Sequence, residues 1–143
     1  MKRMNMLFGM LAFFAVSCTA EEAFNLKNNM LKLNAELGEA REAMIRNEQK
    51  ESLSALKRLK GDVRDLLSNK NRIESLLPKE KKRKSYIALE AAKRIAENIE
   101  IIEDVFGENK NKLSQLKREA AAQRAYTSIE MACFHCHNLV RDE

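Results

Sequence analysis

Four stretches of the chain repeat apolar residues at alternating steps of three and four, the spacing that places them along one face of an α-helix. Only one proline and three glycines follow residue 20, and 33% of all residues are charged. With abundant Ala, Leu, Glu and Lys, this is a helical composition, and no stretch alternates as a strand does. The pattern predicts an all-α protein whose helices cover approximately residues 22–46, 50–68, 79–106 and 112–139.

Short connections join these helices. A polar loop is expected at 68–71, a short turn at 72–77 ahead of Pro78, and a helix end at Gly107, where a glycine commonly follows the last turn. A helix with an apolar stripe must bury it against a neighbour, and short loops make consecutive helices antiparallel. The sequence therefore predicts one domain over residues 21–143, an up-down-up-down antiparallel four-helix bundle.

The first twenty residues are typical of a secretory signal peptide, with Lys2 and Arg3 ahead of an apolar run and small residues. The apolar run, about 11 residues long, is too short to span a bilayer. Cleavage after Ala20 is one route. The other is lipoprotein processing, in which residues 1–17 are removed and Cys18 carries a lipid anchor. Both routes predict an exported protein, either periplasmic or anchored to an envelope membrane and facing the periplasm.

A C-x-x-C-H motif, Cys133-Phe134-His135-Cys136-His137, lies within the fourth predicted helix and continues its apolar stripe. In an exported chain this spacing is typical of a covalent attachment site for c-type haem. Two cysteines on one helix face can reach the two vinyl groups of one porphyrin, and His137 can bind the iron as the proximal ligand. We therefore expect one haem c per chain, near the C-terminal end of this helix.

Other uses of a C-x-x-C pair are a zinc site, a redox dithiol and a disulfide. A zinc site needs four ligands, and outside the motif the chain offers only Cys18 among Cys and His residues. A redox dithiol is expected beside a βαβ pattern, which the sequence lacks. A structural bundle with a disulfide and no haem stays open as a third interpretation.

The candidates for the ligand on the other side of the iron can be reduced by elimination. His135 is expected to point away from the haem face, and Met131 lies on the same helix as His137 and cannot cross the ring. In an antiparallel pair of first and fourth helices, Met30, roughly 12 Å into its helix, lies level with His137, whereas Met44 is roughly 21 Å further along. Met30 is the predicted distal ligand. The alternative is that it only fills the core, as methionine often does.

The net charge is small. The formal charge of +5 falls to +3 without Lys2 and Arg3, and nothing in this balance indicates nucleic-acid binding. Only the run Lys79–Lys84 is locally basic, with five cations and Glu80. This run is either a solvated first turn of the third helix or a docking surface for an acidic partner or an anionic lipid surface.

The signal peptide, the four helices and the C-terminal C-x-x-C-H resemble the class II c-type cytochromes, the cytochrome c′ family. The signature of that family continues with an aromatic residue and an arginine; Val140 replaces the aromatic here and Arg141 keeps its spacing. The resemblance implies that Arg141 packs near the haem or its propionates. Low-spin members carry an axial methionine followed eight residues later by glycine, a spacing that Met30 and Gly38 keep. An arginine usual one turn before the ligand is replaced by Leu26.

Two functions are open at this stage. The first is electron transfer by a haem with His and Met ligands, with other redox proteins as partners. No catalytic constellation is visible, so we do not expect an enzyme, and a thioether ligand would raise the potential and close the iron to substrates. The second, implied by high-spin members of the family, is a five-coordinate cytochrome c′ that binds nitric oxide or other small gases. The resemblance leaves both a monomer and a homodimer open.

Overall fold

The computed structural model describes residues 26–107 and 113–140, which are all-α and contain no strand. The predicted all-α class is therefore confirmed for this part of the chain. The predicted signal peptide, Cys18 and Arg141 lie outside the described residues. No helix within the described ranges has the length and apolar character needed to cross a bilayer. The elements are α1 (Leu26–Ile45), α2 (Gln49–Leu67), α3 (Lys70–Leu76), a 3₁₀ helix (Lys79–Lys84), α4 (Ser85–Phe106) and α5 (Gln115–Val140).

The connection between α2 and α4 differs most from expectation. The loop predicted at residues 68–71 is shorter in the structure, because a separate helix, α3, begins at Lys70. The Asn69 side chain caps this helix by accepting a hydrogen bond of 3.1 Å from the Arg72 backbone N–H. This helix ends at Leu76, since Leu77 adopts the extended conformation that a following proline favours. The run Lys79–Lys84 is a 3₁₀ helix, and α4 begins only at Ser85, close to the start of the apolar stripe.

The turn between α1 and α2 is built around Asn47, whose φ of 59° lies in the left-handed region. The Glu48 N–H donates to the Ala43 carbonyl at 2.8 Å, and the Asn47 N–H donates to the Met44 carbonyl at 3.1 Å. These two bonds form a Schellman motif, in which asparagine tolerates the left-handed conformation. The motif ends α1 and reverses the chain into α2.

Gly107 follows the last residue of α4, as predicted, but for a different reason. Its φ of −92° is available to any residue. A Cβ at this position would collide with the carbonyl oxygen of Glu103, to which the Gly107 N–H donates a hydrogen bond of 2.8 Å. Close approach to the backbone, rather than a left-handed φ, therefore favours glycine here.

The helices pack as α1 along α2, α2 along α4, and α4 along α5. Charged side chains join the outer edges of these pairs: Arg58 of α2 to Glu39 of α1, and Lys60 of α2 to Glu100 of α4 at 3.0 Å. Exposed ion pairs of this kind add little stability, so most of it comes from the apolar core. The largest fully buried side chains of that core are Leu56, Leu59, Val63, Ile99, Ile102 and Ile129.

One carboxyl group lies inside the α1–α2 interface. Glu36 of α1 is only 5% exposed and faces Asp62 of α2, which forms an ion pair of 2.6 Å with Lys32. Burial, and then the neighbouring Asp62, raise the pKa of Glu36 to about 7, whereas Lys32 lowers the pKa of Asp62. The pair therefore holds a proton on Glu36 in mildly acidic solution.

This carboxyl predicts how stability depends on pH. Because the folded pKa of Glu36 is raised, its favourable contribution is complete below the ordinary pKa of 4.5 and is lost as the pH rises through about 7. Glu36→Gln keeps an uncharged side chain, so we expect it to be more stable than wild type at pH 8, by roughly 1–3 kcal/mol, with the gain vanishing near pH 5. Urea unfolding at both pH values measures this difference.

The matched control is Glu42→Gln, which removes an exposed carboxylate of the same helix. Its effect on the free energy of unfolding should be small at both pH 5 and pH 8, since an exposed ion pair such as that of Glu42 with Arg46 adds little stability. A Glu36→Gln protein with the pH dependence of wild type would contradict the prediction.

Candidate functional site

One side of α5 faces α1 and carries Tyr126, Glu130, Cys133 and His137. The Tyr126 hydroxyl donates a hydrogen bond of 3.1 Å to the backbone carbonyl of Leu37, and Glu130 lines a cleft between the two helices. Cys133 and His137 follow Tyr126 at seven and eleven residues, which is close to two and three helical turns. The first cysteine and the histidine of the motif therefore lie on the α1-facing side of α5.

The facing side of α1 carries Met30, Leu37 and Met44, each seven residues from the next. The Tyr126–Leu37 hydrogen bond fixes the register of the two helices. The last residues of α1, including Met44, line one cleft with residues 119–130 of α5, which belong to the first two thirds of that helix, so the two helices run antiparallel. Met30 and Cys133 are each seven residues from this hydrogen bond, about 10.5 Å along their helices in the same direction. Both are partly buried and pack against one core.

Met44 lies on the other side of the Tyr126–Leu37 hydrogen bond from Met30. It lines the cleft of about 600 Å³ between α1 and α5, together with Arg41, Phe106 and Tyr126. Since 14 residues separate Met44 from Met30, the two sulfur-bearing side chains are about 21 Å apart along the helix. The third methionine, Met131, is 61% exposed on α5. Among the methionines of the described residues, only Met30 is brought from another helix to the level of the motif.

The two thiols of the motif lie in apolar surroundings. Cys133 is partly buried, Cys136 is buried, and both are free thiols. Burial raises the pKa of the Cys133 thiol, and it raises that of Cys136 to about 11. Reactive C-x-x-C pairs have lowered thiol pKa values, because the thiolate is their nucleophile. The environment of this pair is thus the opposite of that of a redox dithiol, and it suits thiols turned toward an apolar group.

The two histidines lie on different sides of α5. His135 is exposed and lines a groove with Tyr86 and Glu90 of α4. His137 is exposed on the side of α5 that faces α1, in the last turn of the helix. The imidazole of His137 is therefore on the same side as Cys133, whereas that of His135 is directed toward α4.

The described residues of α1 and α5 are less closely packed against each other than the other neighbouring long helices are. In the part of the chain that the structure describes, the closely packed neighbours of α1 and α5 are α2 and α4, respectively. The first and last helices instead meet through the long Tyr126 side chain. Toward the motif, Met30, Leu33 and Leu37 of α1 and Cys133 of α5 are partly buried and pack against the core. Together with the imidazole of His137, these residues could border a covalently attached haem.

Tyr126 and Lys84 are the two residues of this region that sequence reasoning missed. Tyr126 occupies a stripe position, and burial followed by the nearby Glu130 raises the pKa of its phenol. Lys84 donates a hydrogen bond of 3.1 Å from its Nζ to the Leu139 carbonyl. No local sequence pattern predicts the hydrogen bond between Lys84 and Leu139, because 55 residues separate them.

Within residues 26–107 and 113–140, no three side chains of His, Cys, Asp or Glu are grouped to hold a metal ion by themselves. A haem iron makes a different demand, because its protein ligands are axial and are supplied by one or two side chains. No family model matches the chain, and searches of curated proteins and of solved structures find no significant match.

Proposed function

We propose that this protein is an exported monohaem c-type cytochrome that transfers electrons. Cys133 and Cys136 would hold the haem through thioether bonds, His137 would be the proximal ligand of the iron, and Met30 the distal one. The observation that carries the proposal is the C-x-x-C-H motif on α5, with its first cysteine and its histidine on the side that faces Met30 of α1.

The packing of the helices supports a four-helix bundle as the scaffold. The pairs α1–α2, α2–α4 and α4–α5 pack side by side. The Tyr126–Leu37 hydrogen bond joins the last long helix, α5, to the first, α1. An up-down-up-down arrangement of α1, α2, α4 and α5 accounts for these contacts. In this arrangement α3 and the 3₁₀ helix form the connection at the end where the haem would lie.

When bound, the haem supplies a one-electron couple. The chain would raise the reduction potential of the haem in two ways. The Met30 thioether would complete the coordination and favour the reduced iron, as Met/His ligation does in other c-type cytochromes. The apolar core around Cys136 would exclude water, and so disfavour the more highly charged oxidised state. Both effects raise the reduction potential.

The proposal predicts a coloured, redox-active protein. The full-length chain, expressed in a periplasm-forming bacterium with haem-attachment proteins, should keep one haem per chain on a denaturing gel stained for peroxidase activity. The purified protein should be reduced and reoxidised reversibly in a potentiometric titration. We chose both measurements because a disulfide-bonded bundle without haem would pass neither.

A deletion of residues 2–20 is the matched control for this experiment, because it leaves the motif intact and removes only the predicted export signal. It should accumulate without haem, since haem c is attached on the exported side of the membrane. A colourless full-length protein would refute the cytochrome proposal. A truncated protein that acquires haem would refute the predicted role of the signal.

A further inference from the structure

The basic 3₁₀ helix lies at the end of α5 that carries the C-x-x-C-H motif. It packs against α4 and α5, and its last residue, Lys84, donates the hydrogen bond to the Leu139 carbonyl, two residues beyond His137. That carbonyl belongs to the last turn of α5, which has no partner for it within the helix. A cation at the C-terminus of a helix is also favoured by the helix dipole. The contact therefore anchors the basic segment next to the motif.

Positive charge is concentrated in this segment. Residues 21–143 carry a formal charge of +3, of which the six residues Lys79–Lys84 contribute +4 and all the others together −1. Lys79, Lys82 and Arg83 are exposed. The nearest acidic residues of α3 and α4 are engaged elsewhere: Glu74 accepts a hydrogen bond of 3.0 Å from Ser85, and Glu90 pairs with Arg94 at 3.5 Å.

One exposed aromatic side chain lies next to the basic segment. Tyr86, two residues after Lys84, is 60% exposed and shares its groove with His135 and Leu139 of α5. Aromatic side chains and arginine are enriched where proteins bind one another, and an apolar centre with a charged rim is the usual arrangement of such a surface.

We infer that Lys79, Lys82 and Arg83, together with Tyr86, form a docking surface for an acidic redox protein. The inference rests on the proposed function, because it places the surface where electrons would enter or leave. Complementary charge steers such encounters and mainly raises the association rate. We favour a protein over a lipid surface because Tyr86 shares a groove with His135 of the motif, and Lys84 holds the basic segment at the last turn of α5, where a redox partner would approach.

The test reverses the charge of the three exposed cations in the haem-loaded, full-length protein. The variant Lys79→Glu/Lys82→Glu/Arg83→Glu keeps Lys84, and with it the contact to α5. The probe is reduced flavodoxin, an acidic electron donor, mixed with the oxidised cytochrome in a stopped-flow instrument. At low salt we expect the rate to fall by roughly tenfold or more, because electrostatic steering contributes 10- to 1,000-fold to such rates. In high salt the difference from wild type should largely vanish.

The matched control is Lys50→Glu/Lys57→Glu/Lys117→Glu. These exposed lysines lie on α2 and α5, toward the opposite end of the molecule, and their reversal changes the net charge by the same amount. The control should slow the reaction much less than the first variant, since its charges lie farther from the motif and the interaction between two charges weakens with distance. A cationic oxidant, tris(phenanthroline)cobalt(III), should react faster with the reduced form of the first variant than with that of wild type. A damaged protein would not gain rate in this way.

Three results would overturn the inference. Equal slowing by both charge reversals would show that only net charge matters. Binding of wild type to phosphatidylglycerol vesicles that the first variant loses, with flavodoxin rates unchanged, would assign the segment to a membrane surface. A protein without haem would remove both the inference and the proposed function, whereas the first two results leave the cytochrome proposal intact.

Discussion

The variant Cys133→Ala/Cys136→Ala is expected to carry no covalent haem after export. No thiol remains at the motif, so no thioether bond can form, and denaturation should release any haem that binds. The expected change is from one haem per chain to none, measured by peroxidase staining of a denaturing gel and by the haem spectrum in alkaline pyridine. On the proposed function, loss of the haem should also reduce the cooperativity of unfolding.

The third cysteine provides the control. Cys18→Ala removes a thiol outside the motif and should keep a full complement of haem, whichever way the signal is processed. Each single variant, Cys133→Ala or Cys136→Ala, should retain one thioether bond and so show an altered haem spectrum with reduced yield. A double variant that still holds covalent haem would contradict the assignment of the attachment site.

Met30→Ala should convert a low-spin haem into a high-spin one. If the Met30 thioether binds the iron, its removal opens that position, and the ferrous protein should then bind carbon monoxide or nitric oxide readily. The reduction potential should fall by an amount on the order of 0.1 V, within the range of about 0.8 V that axial ligands span. Loss of the sulfur-to-iron charge-transfer band in the ferric spectrum would report the same change.

Met44→Ala is the matched control for this experiment. Met44 is also a partly buried methionine on the α5-facing side of α1, but it lies about 21 Å further along the helix. Both substitutions remove a similar apolar volume, so both should destabilise the protein, by roughly 1–3 kcal/mol for side chains that are not fully buried. Only Met30→Ala should alter the spin state. A wild-type protein that is already high-spin would contradict Met30 ligation and favour the gas-binding alternative.

The sequence predicted the long helices well because each carries an uninterrupted apolar stripe. It missed α3 as a separate helix because seven residues are too few for such a stripe to be recognised. It also placed Lys79–Lys84 in the third helix, where the structure has a 3₁₀ helix. That run contains no apolar residue, so no burial favours continuing the α-helix back to Pro78.

At the candidate site, features set by neighbouring residues could be predicted from the sequence, whereas contacts between residues far apart in the chain could not. The separation of His135 from His137 is predictable, because residues two positions apart on a helix point in widely different directions. The register of α1 against α5 depends on one tyrosine reaching one backbone carbonyl, and no local pattern encodes such a contact. The approach of Lys84 to Leu139 was likewise missed, since it results from how α3 and the 3₁₀ helix return the chain to the end of α5.

The Tyr126–Leu37 hydrogen bond also bears on the order in which the chain assembles. Its partners are 89 residues apart, whereas Arg58 and Glu39, which join α1 to α2, are 19 apart. Bringing Tyr126 to Leu37 in an unfolded chain costs roughly 1 kcal/mol more in chain entropy than bringing Arg58 to Glu39. This extra cost becomes smaller once the helices between them have paired. Contacts of large sequence separation are also the slow ones in folding. The seam between α1 and α5 is therefore expected to close last, so the thiols of the motif stay accessible until the rest of the core has formed.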